Sequence, residues 1–146
     1  VSITLQKITR ENWEDCIDLK VSLEQQKFVS SNLYSIAEVQ FLNNFEALAI
    51  YHDNQMVGFT MYGLDPDDNN YWIYRLMIDE KQQGKGYGKH AIKEVLNNLM
   101  KKPNCQLIMV GYHQQNTAVH NLYKSIGFVD RGIAPWGEQL AGYEVK

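Results

Sequence analysis

Residues 82–90 read QQGKGYGKH: glycine stands at 84, 86 and 88, lysine at 85 and 89. Just before comes YWIYRLMI (71–78), apolar on both faces, which predicts a buried central strand. Just after, Ala91, Ile92, Val95, Leu96 and Leu99 share one side of a helix predicted to run to about Lys102 and to end at Pro103. Glycine costs backbone entropy, so three within five residues need a reason. A helix N-terminus carries unpaired N–H groups and the positive end of the macrodipole, and glycines let a ligand come close to both. Phosphate oxygens suit such a loop. Close strand–helix packing would also use the glycines. The G-x-G-x-G spacing fits neither the Rossmann nor the Walker pattern.

Outward from this loop the chain alternates strand and helix. ITLQKI (3–8) alternates apolar and polar residues as a strand does. RENWEDCIDLKVSL (10–23), after Thr9, has near-helical spacing of apolar residues. A connector, EQQKFVSSNLY (24–34), leads to SIAEVQFLNN (35–44), where Ser35 and Glu38 have the form of a capping box. EALAIYHDNQMVGFTMYGL (46–64) reads as a hairpin turning at Asp53-Asn54. CQLIMVGY (105–112) is a second buried strand, and NTAVHNLYKSI (116–126) a helix stopped by Gly127. FVDRGI and LAGYEV are strands about a turn at Trp136-Gly137. The order is βααβββαβαββ, a single α/β domain over residues 1–146 with a mixed, mostly antiparallel central sheet.

Composition narrows the function classes. The chain has 146 residues, 45% of them hydrophobic and 21% charged, with a net charge of -3, so no global basic field recruits nucleic acid. Six lysines between 81 and 102 face only Glu94, while DPDDNN (65–70) is acidic; one segment suits an anion, the other a cation, unless both are plain solvated surfaces. Cys16 and Cys105 form no CxxC pair and read as reduced, buried thiols of a cytoplasmic protein. No apolar run reaches membrane-spanning length, and VSITLQKIT at the start has no signal-peptide layout. The histidines, cysteines and acids show no metal-ligand spacing.

Gln83-Gly84-Lys85-Gly86-Tyr87-Gly88 matches the [RQ]-x-x-G-x-[GA] motif of the GNAT superfamily of N-acetyltransferases. Downstream, Asn116, Leu122, Tyr123, Gly127 and Phe128 fit that superfamily's N-x-x-A-x-x-L-Y-x-x-x-G-F signature, with Val119 at the usual alanine. The element order matches too, so the resemblance covers nearly the whole chain. It implies acetyl-CoA as cosubstrate, no metal, and strands four and five splayed apart to admit the pantetheine arm. By position it assigns Leu76, Met77 and Ile78 to the pantetheine and thioester carbonyl, the loop Gln83, Gly84, Lys85, Gly86, Tyr87, Gly88 and Lys89 to the pyrophosphate, and Asn116 to the pantetheine. Tyr123 stands where the family carries its general acid; a phenol, pKa ~10, is protonated at neutral pH and roughly matched to a thiol near ~8.5.

A base is harder to name. An alkylammonium of pKa ~10.4 is neutral only about once in a few thousand molecules at pH 7. Relatives carry a strand-four glutamate at the position of Trp72, or near Tyr74 or Arg75, and none of these is an acid here. Asp79 and Glu80 stand at the mouth of the loop; Glu24, Glu38, Asp65 and Glu138 could act through water, Tyr74 could relay through one, and His120 lies on the helix face of Asn116 and Tyr123. Each is equally readable as a surface or packing residue, as is His113.

MYGLDPDDNNYWIYRLMIDEKQQGKGYGK, FVSSNLYSIAE and GEQLAGYEV resemble bacterial diamine and spermine/spermidine acetyltransferases. That implies a small-molecule amine acceptor, a polyamine such as spermine or spermidine, met by carboxylates and aromatic faces among Glu24, Tyr34, Tyr74 and Glu138. It also implies neither nucleic acid nor membrane as partner, and a homodimer as in many relatives. Acetylation of another small amine or a peptide amine, and a non-catalytic acyl-CoA-binding module, stay open.

Overall fold

A computed structural model describes residues 2–146. Seven strands form one open sheet: β1 (Ile3–Lys7), β2 (Phe45–His52), β3 (Gln55–Leu64), β4 (Tyr71–Ile78), β5 (Leu107–Tyr112), β6 (Val129–Ile133) and β7 (Gln139–Glu144). Their order across the sheet is β1-β2-β3-β4-β5-β7-β6, and only β4–β5 is parallel. Helices α1 (Trp13–Asp18) and α2 (Asn32–Val39) contact one face of the sheet, around Cys16, Val21, Phe59, Met61 and Met77. Helices α3 (Tyr87–Met100) and α4 (Thr117–Ile126) cover the other, where Ile92, Val95, Leu96 and Leu99 pack on Tyr62, Ile73, Ile108 and Val110. Among the described residues, no helix is long and apolar enough to cross a membrane.

The element order and mixed sheet agree with the sequence reading, and three local expectations change. α1 spans only six residues, with Asn12 as its N-cap, and the chain leaves it at Leu19 in extended conformation. It then pins its backbone to the end of β4, Lys20 N–H donating to Asp79 Oδ1 at 2.9 Å. This anchoring overrides the helical spacing of residues 19–23. The Ser35–Glu38 capping box is not formed either: Ser31 is the N-cap of α2 and accepts from the Tyr34 amide. Ser35 is buried one turn later, donating to the Ser31 carbonyl, and Glu38 is turned to Arg75 instead. Cys16 is a buried free thiol, as expected, whereas Cys105 is only half-buried.

Two irregularities in β4 position everything that follows. Tyr62 of β3 pairs with Ile73 but Met61 pairs with Arg75, so Tyr74 is the extra residue of a β-bulge. Thr60, fully buried, donates its hydroxyl to the Arg75 carbonyl at 2.8 Å beside the bulge. On its other side β4 pairs with β5 only at Tyr71–Ile108, Trp72–Met109 and Ile73–Val110. Beyond Ile73 the two parallel strands separate, leaving the β5-facing edge of residues 74–78 without a strand partner.

β3 meets the last residues of β4 closely at Gly58, where an added Cβ would lie 2.2 Å from the Met77 carbonyl oxygen. Gly58→Ala must therefore shift backbone, not a flexible side chain. An overpacking cost of about 2 kcal/mol, or roughly 6 °C in the unfolding midpoint, is expected by calorimetry; an unchanged midpoint would show that the strands separate there without cost.

Candidate active site

The gap between β4 and β5 opens two adjoining cavities that share Val29, Leu76, Met77, Asn116 and Val119 in their walls. The larger, about 460 Å³, runs from this shared wall past Ile78 to Gln83, Gly84, Gly86, Gly88 and Lys89 at the start of α3. The smaller, about 280 Å³, lies on the other side of it and is lined by Tyr74, Arg75, Tyr112, Tyr123 and Glu138 among others. Ends of strands, a helix start and the 24–34 connector thus converge on two adjoining cavities with a shared wall.

The larger cavity ends in a cradle for an anion. Gly84 and Gly86 have φ of +80° and +83°, a region side chains rarely adopt, and nothing lies within 4 Å of a Cβ built on either. Gly86 is the N-cap of α3 with no side chain to satisfy the first-turn N–H groups, which leaves them for a ligand. Other motif residues are occupied in shaping the loop. Gln83 Nε2 donates to the Ile78 carbonyl at 2.9 Å and to Gln25 Oε1 at 3.0 Å. The Tyr87 ring stacks on His52 and its hydroxyl is 3.1 Å from His52 Nδ1, so only its backbone faces the loop's work. Lys85 Nζ donates to Gln82 Oε1, while Lys89 lines the cavity. Asp79 accepts the Lys20 and Lys81 amides, which removes it as a free base at the loop mouth.

The smaller cavity gathers tyrosines. Tyr123, on α4, is 4% exposed; its ring stacks parallel to Tyr112 at 6.0 Å and edge-on to Phe128 at 5.0 Å. Burial, with a smaller contribution from Tyr112, pushes its hydroxyl well above the ordinary phenol range. Tyr112, raised by burial and then by Asp130, shares a hydrogen bond of 2.9 Å with His120 Nδ1. His120 lies 3.9 Å from Asp130 and reaches the cavity only through Tyr112. Tyr74 Oη donates to Asp65 Oδ2 at 2.6 Å, and burial followed by this bond raises its hydroxyl as well. Glu138 Oε1 is held by Trp136 Nε1 at 2.7 Å, over Gly111. Arg75 reaches Glu38 at 2.8 Å, and its Nε is buried without a partner.

The expected site residues divide accordingly. Leu76, Met77, Ile78, Gln83, Gly84, Gly86, Tyr87, Gly88, Lys89 and Asn116 line the larger cavity, while Tyr74, Glu138 and Tyr123 line the smaller. Asn116 is 8% exposed and doubles as the N-cap of α4, accepting from the Val119 amide. Glu24, Tyr34 and Lys85 line neither cavity, and all three are exposed. His113 also lies outside, against Phe28. Asp65 was readable as a surface acid, but it is 8% exposed behind Tyr74. Arg75, Tyr112 and Asn32 in the smaller cavity carried no signal in the sequence beyond their strand or helix positions. Among the described residues, no three His, Cys, Asp or Glu side chains gather as a metal site.

Comparison with known proteins gives the same grouping of residues a family context. Residues 5–128 match the model of the acetyltransferase (GNAT) family. The spermine/spermidine N(1)-acetyltransferase of Bacillus subtilis is 30% identical over 138 residues, covering 90% of this chain and 91% of that protein. The crystal structure of an aminoglycoside acetyltransferase in complex with coenzyme A superposes with a TM-score of 0.81 at 14% identity, covering 98% of this chain and 95% of that one. Spermidine N-acetyltransferase from Vibrio cholerae, in complex with CoA and spermine, does so with a TM-score of 0.74 at 15% identity, covering 96% and 92%. At these identities the two structures speak for the fold.

The tyrosines make a test that needs no substrate. Tyr62, raised to about 12 by burial, joins Tyr74, Tyr112 and Tyr123 in having a folded-state pKa above its unfolded value. Their contribution to stability is complete below pH ~10 and is lost as pH climbs through the folded values. In an alkaline titration followed by phenolate absorbance, these four should ionise only above the ordinary range or together with unfolding. Ionisation of all nine tyrosines near pH ~10 in the folded protein would contradict the burial described above.

Proposed function

Because this chain belongs to the acetyltransferase (GNAT) family and is an acetyl-CoA-dependent N-acetyltransferase, we propose that it acetylates a primary amine of a polyamine such as spermine or spermidine, with Tyr123 as general acid. The observation that carries this reading is the pair of cavities joined at Leu76, Met77 and Asn116: one ends in the glycine cradle, the other in Tyr123.

The residues present fit acetyl-CoA. Phosphate oxygens take the first-turn N–H groups of α3 and the space before Gly84 and Gly86, with Lys89 adding charge. Dipole attraction alone is worth about 0.3–1 kcal/mol, up to ~2 when partly buried, so several such contacts have to act together. The unpaired edge of β4 at Leu76 to Ile78 offers backbone groups other than the Ile78 carbonyl, which Gln83 occupies, to the amide-bearing pantetheine arm, much as a sheet edge takes an extended peptide. Asn116 meets the same arm. The thioester carbonyl then lies at the junction of the cavities.

In the smaller cavity the amine lone pair attacks the carbonyl carbon, the C–S bond breaks, and Tyr123 passes its proton to the departing sulfur. Burial raises Tyr123 above a free phenol, which alone would make it a poorer acid. The same desolvation penalises a thiolate in that slot, so the thiol rises with it and the two stay matched. Glu138, steadied by Trp136, is placed to hold a second ammonium of the acceptor. Glu24 and Tyr34 lie outside both cavities.

Arg75 favours a second reading. Its guanidinium lines the acceptor cavity with a buried, unpartnered Nε, and would suit an acceptor carrying a carboxylate, such as an amino acid. Glu38 neutralises it in part, which keeps the polyamine reading ahead.

Thiol release from acetyl-CoA near pH ~8, with spermine, spermidine, putrescine, lysine, a lysine peptide and an aminoglycoside as acceptors, separates these readings. Turnover is expected to favour the polyamines, and preference for lysine would support the second reading. Tyr123→Phe should lower kcat by about 10²-fold or more while leaving acetyl-CoA binding intact. Gly86→Asp, which strains a positive φ and sets a carboxylate in the cradle, should abolish that binding; retained tight binding would remove the loop from the site.

A further inference from the structure

The acceptor cavity contains one hydroxyl whose hydrogen-bonding role is already decided. Tyr74 lines this cavity and donates its single proton to Asp65 Oδ2 at 2.6 Å, so Oη has only lone pairs left to offer a ligand. The arrangement is built rather than incidental. Tyr74 is the extra residue of the β4 bulge, and its ring packs on Phe45 at 4.4 Å and beside Trp72 at 6.4 Å. Asp65 is 8% exposed, and its other carboxylate oxygen accepts the Asp67 amide at 2.7 Å. Its backbone is tied on both sides, N–H to the Asn70 carbonyl and carbonyl from the Asn69 N–H, each at 2.9 Å. A fixed carboxylate therefore fixes which way the phenol points its proton.

We propose that Tyr74 and Asp65 form the acceptor-amine site for the reaction proposed above: Tyr74 Oη takes the hydrogen bond from the reacting nitrogen, and Asp65 acts through it as a positioning residue. A lone-pair-only oxygen backed by a buried carboxylate accepts an N–H and rejects an acceptor group. A hydroxyl acceptor molecule could satisfy it too, but gains less from the carboxylate behind it than a nitrogen that becomes positively charged.

The pair also gives the nitrogen's proton a path. A resting alkylammonium, pKa ~10.4, holds its proton near neutral pH. The neutral amine is the form that attacks. As the N–C bond forms, the nitrogen becomes acidic; its proton moves to Tyr74 Oη while the Tyr74 proton moves to Asp65 Oδ2. The electron pair of the breaking C–S bond leaves on sulfur, which takes the Tyr123 proton. Water then receives the proton from Asp65 and restores the one on Tyr123, so the cycle closes with amide and free thiol as products.

The test is steady-state kinetics at saturating acetyl-CoA across the amine panel, on the full chain, for Tyr74→Phe, Asp65→Asn and the double variant. Tyr74→Phe keeps the ring between Phe45 and Trp72, so folding should survive, and unfolding midpoints are measured beside the kinetics. Each single change is expected to lower kcat/KM for the amine about 10- to 100-fold, with the acetyl-CoA KM moved by less than about twofold. The double variant should be no worse than the poorer single, because both changes break one interaction. The loss should be similar for every amine accepted. A preference for amines other than polyamines defeats the polyamine reading while the dyad is still scored on the preferred acceptor. An unchanged kcat/KM in Tyr74→Phe, losses that multiply in the double variant, a parallel rise in the acetyl-CoA KM, or turnover of no amine by the wild type would each overturn the proposal.

Discussion

The separation of β4 from β5 after three paired residues is the constraint on which the rest depends. In a continuous parallel pair, residues 74–78 would spend their β5-facing backbone on the neighbouring strand, and the interior would be filled. Instead the unpaired edge faces a cavity on each side of Leu76 and Met77. An unpaired backbone edge inside a protein is costly unless something completes its hydrogen bonds. A ligand with amides of its own does so, which makes the open edge a preformed receptor rather than a defect. The rest of the sheet compensates: β3 pairs with β4 through to Ile78, and β5 pairs with β7 along its whole length, so each side of the gap stays rigid.

Rigidity on the two sides is set by different means. On the β4 side the bulge at Tyr74 is locked by Thr60 and by the ring contacts of Tyr74 itself. At its end, Gln83 ties the glycine loop back to the Ile78 carbonyl, and Asp79 ties it to the backbone at Lys20. On the β5 side the stacked Tyr112 and Tyr123 join strand to helix, with His120 behind Tyr112. The side chains of Gln83 and Tyr87 are thus engaged in shaping the loop, while the glycines and the bare helix start are left open.

Much of this could be read from the chain because it rests on local rules. The glycine spacing, the apolar run before it and the amphipathic helix after it mark strand, loop and helix without knowledge of any contact, and Gly127 with φ of +123° ends α4 where the sequence places the stop. What could not be read rests on contacts between distant residues. Lys20 meets Asp79 across 59 positions and cuts α1 short. Glu38 meets Arg75 across 37 positions, which takes it out of a capping box that its spacing to Ser35 suggests. Asp65 stands in an acidic run that reads as solvated surface, and its hydrogen bond from Tyr74, nine positions on, shows it as a buried partner instead. The bulge itself has no sequence mark, since Tyr74 is as good a strand residue as its neighbours.

The same comparison explains how strand β4 manages without a carboxylate of its own. A glutamate on that strand would have to be desolvated in a cavity already lined by Arg75 and three tyrosines. Its ionised form would be penalised by burial and then pulled into an ion pair with the guanidinium. Setting the charge one hydroxyl away avoids both effects. Asp65 keeps the Asp67 amide and the Tyr74 hydroxyl as partners, and Arg75 is occupied by Glu38 from α2. The cavity wall then carries a neutral phenol whose oxygen is left as an acceptor by the carboxylate it donates to. Under the reaction proposed above, that arrangement gives the amine a polar contact without setting a bare anion beside the thioester.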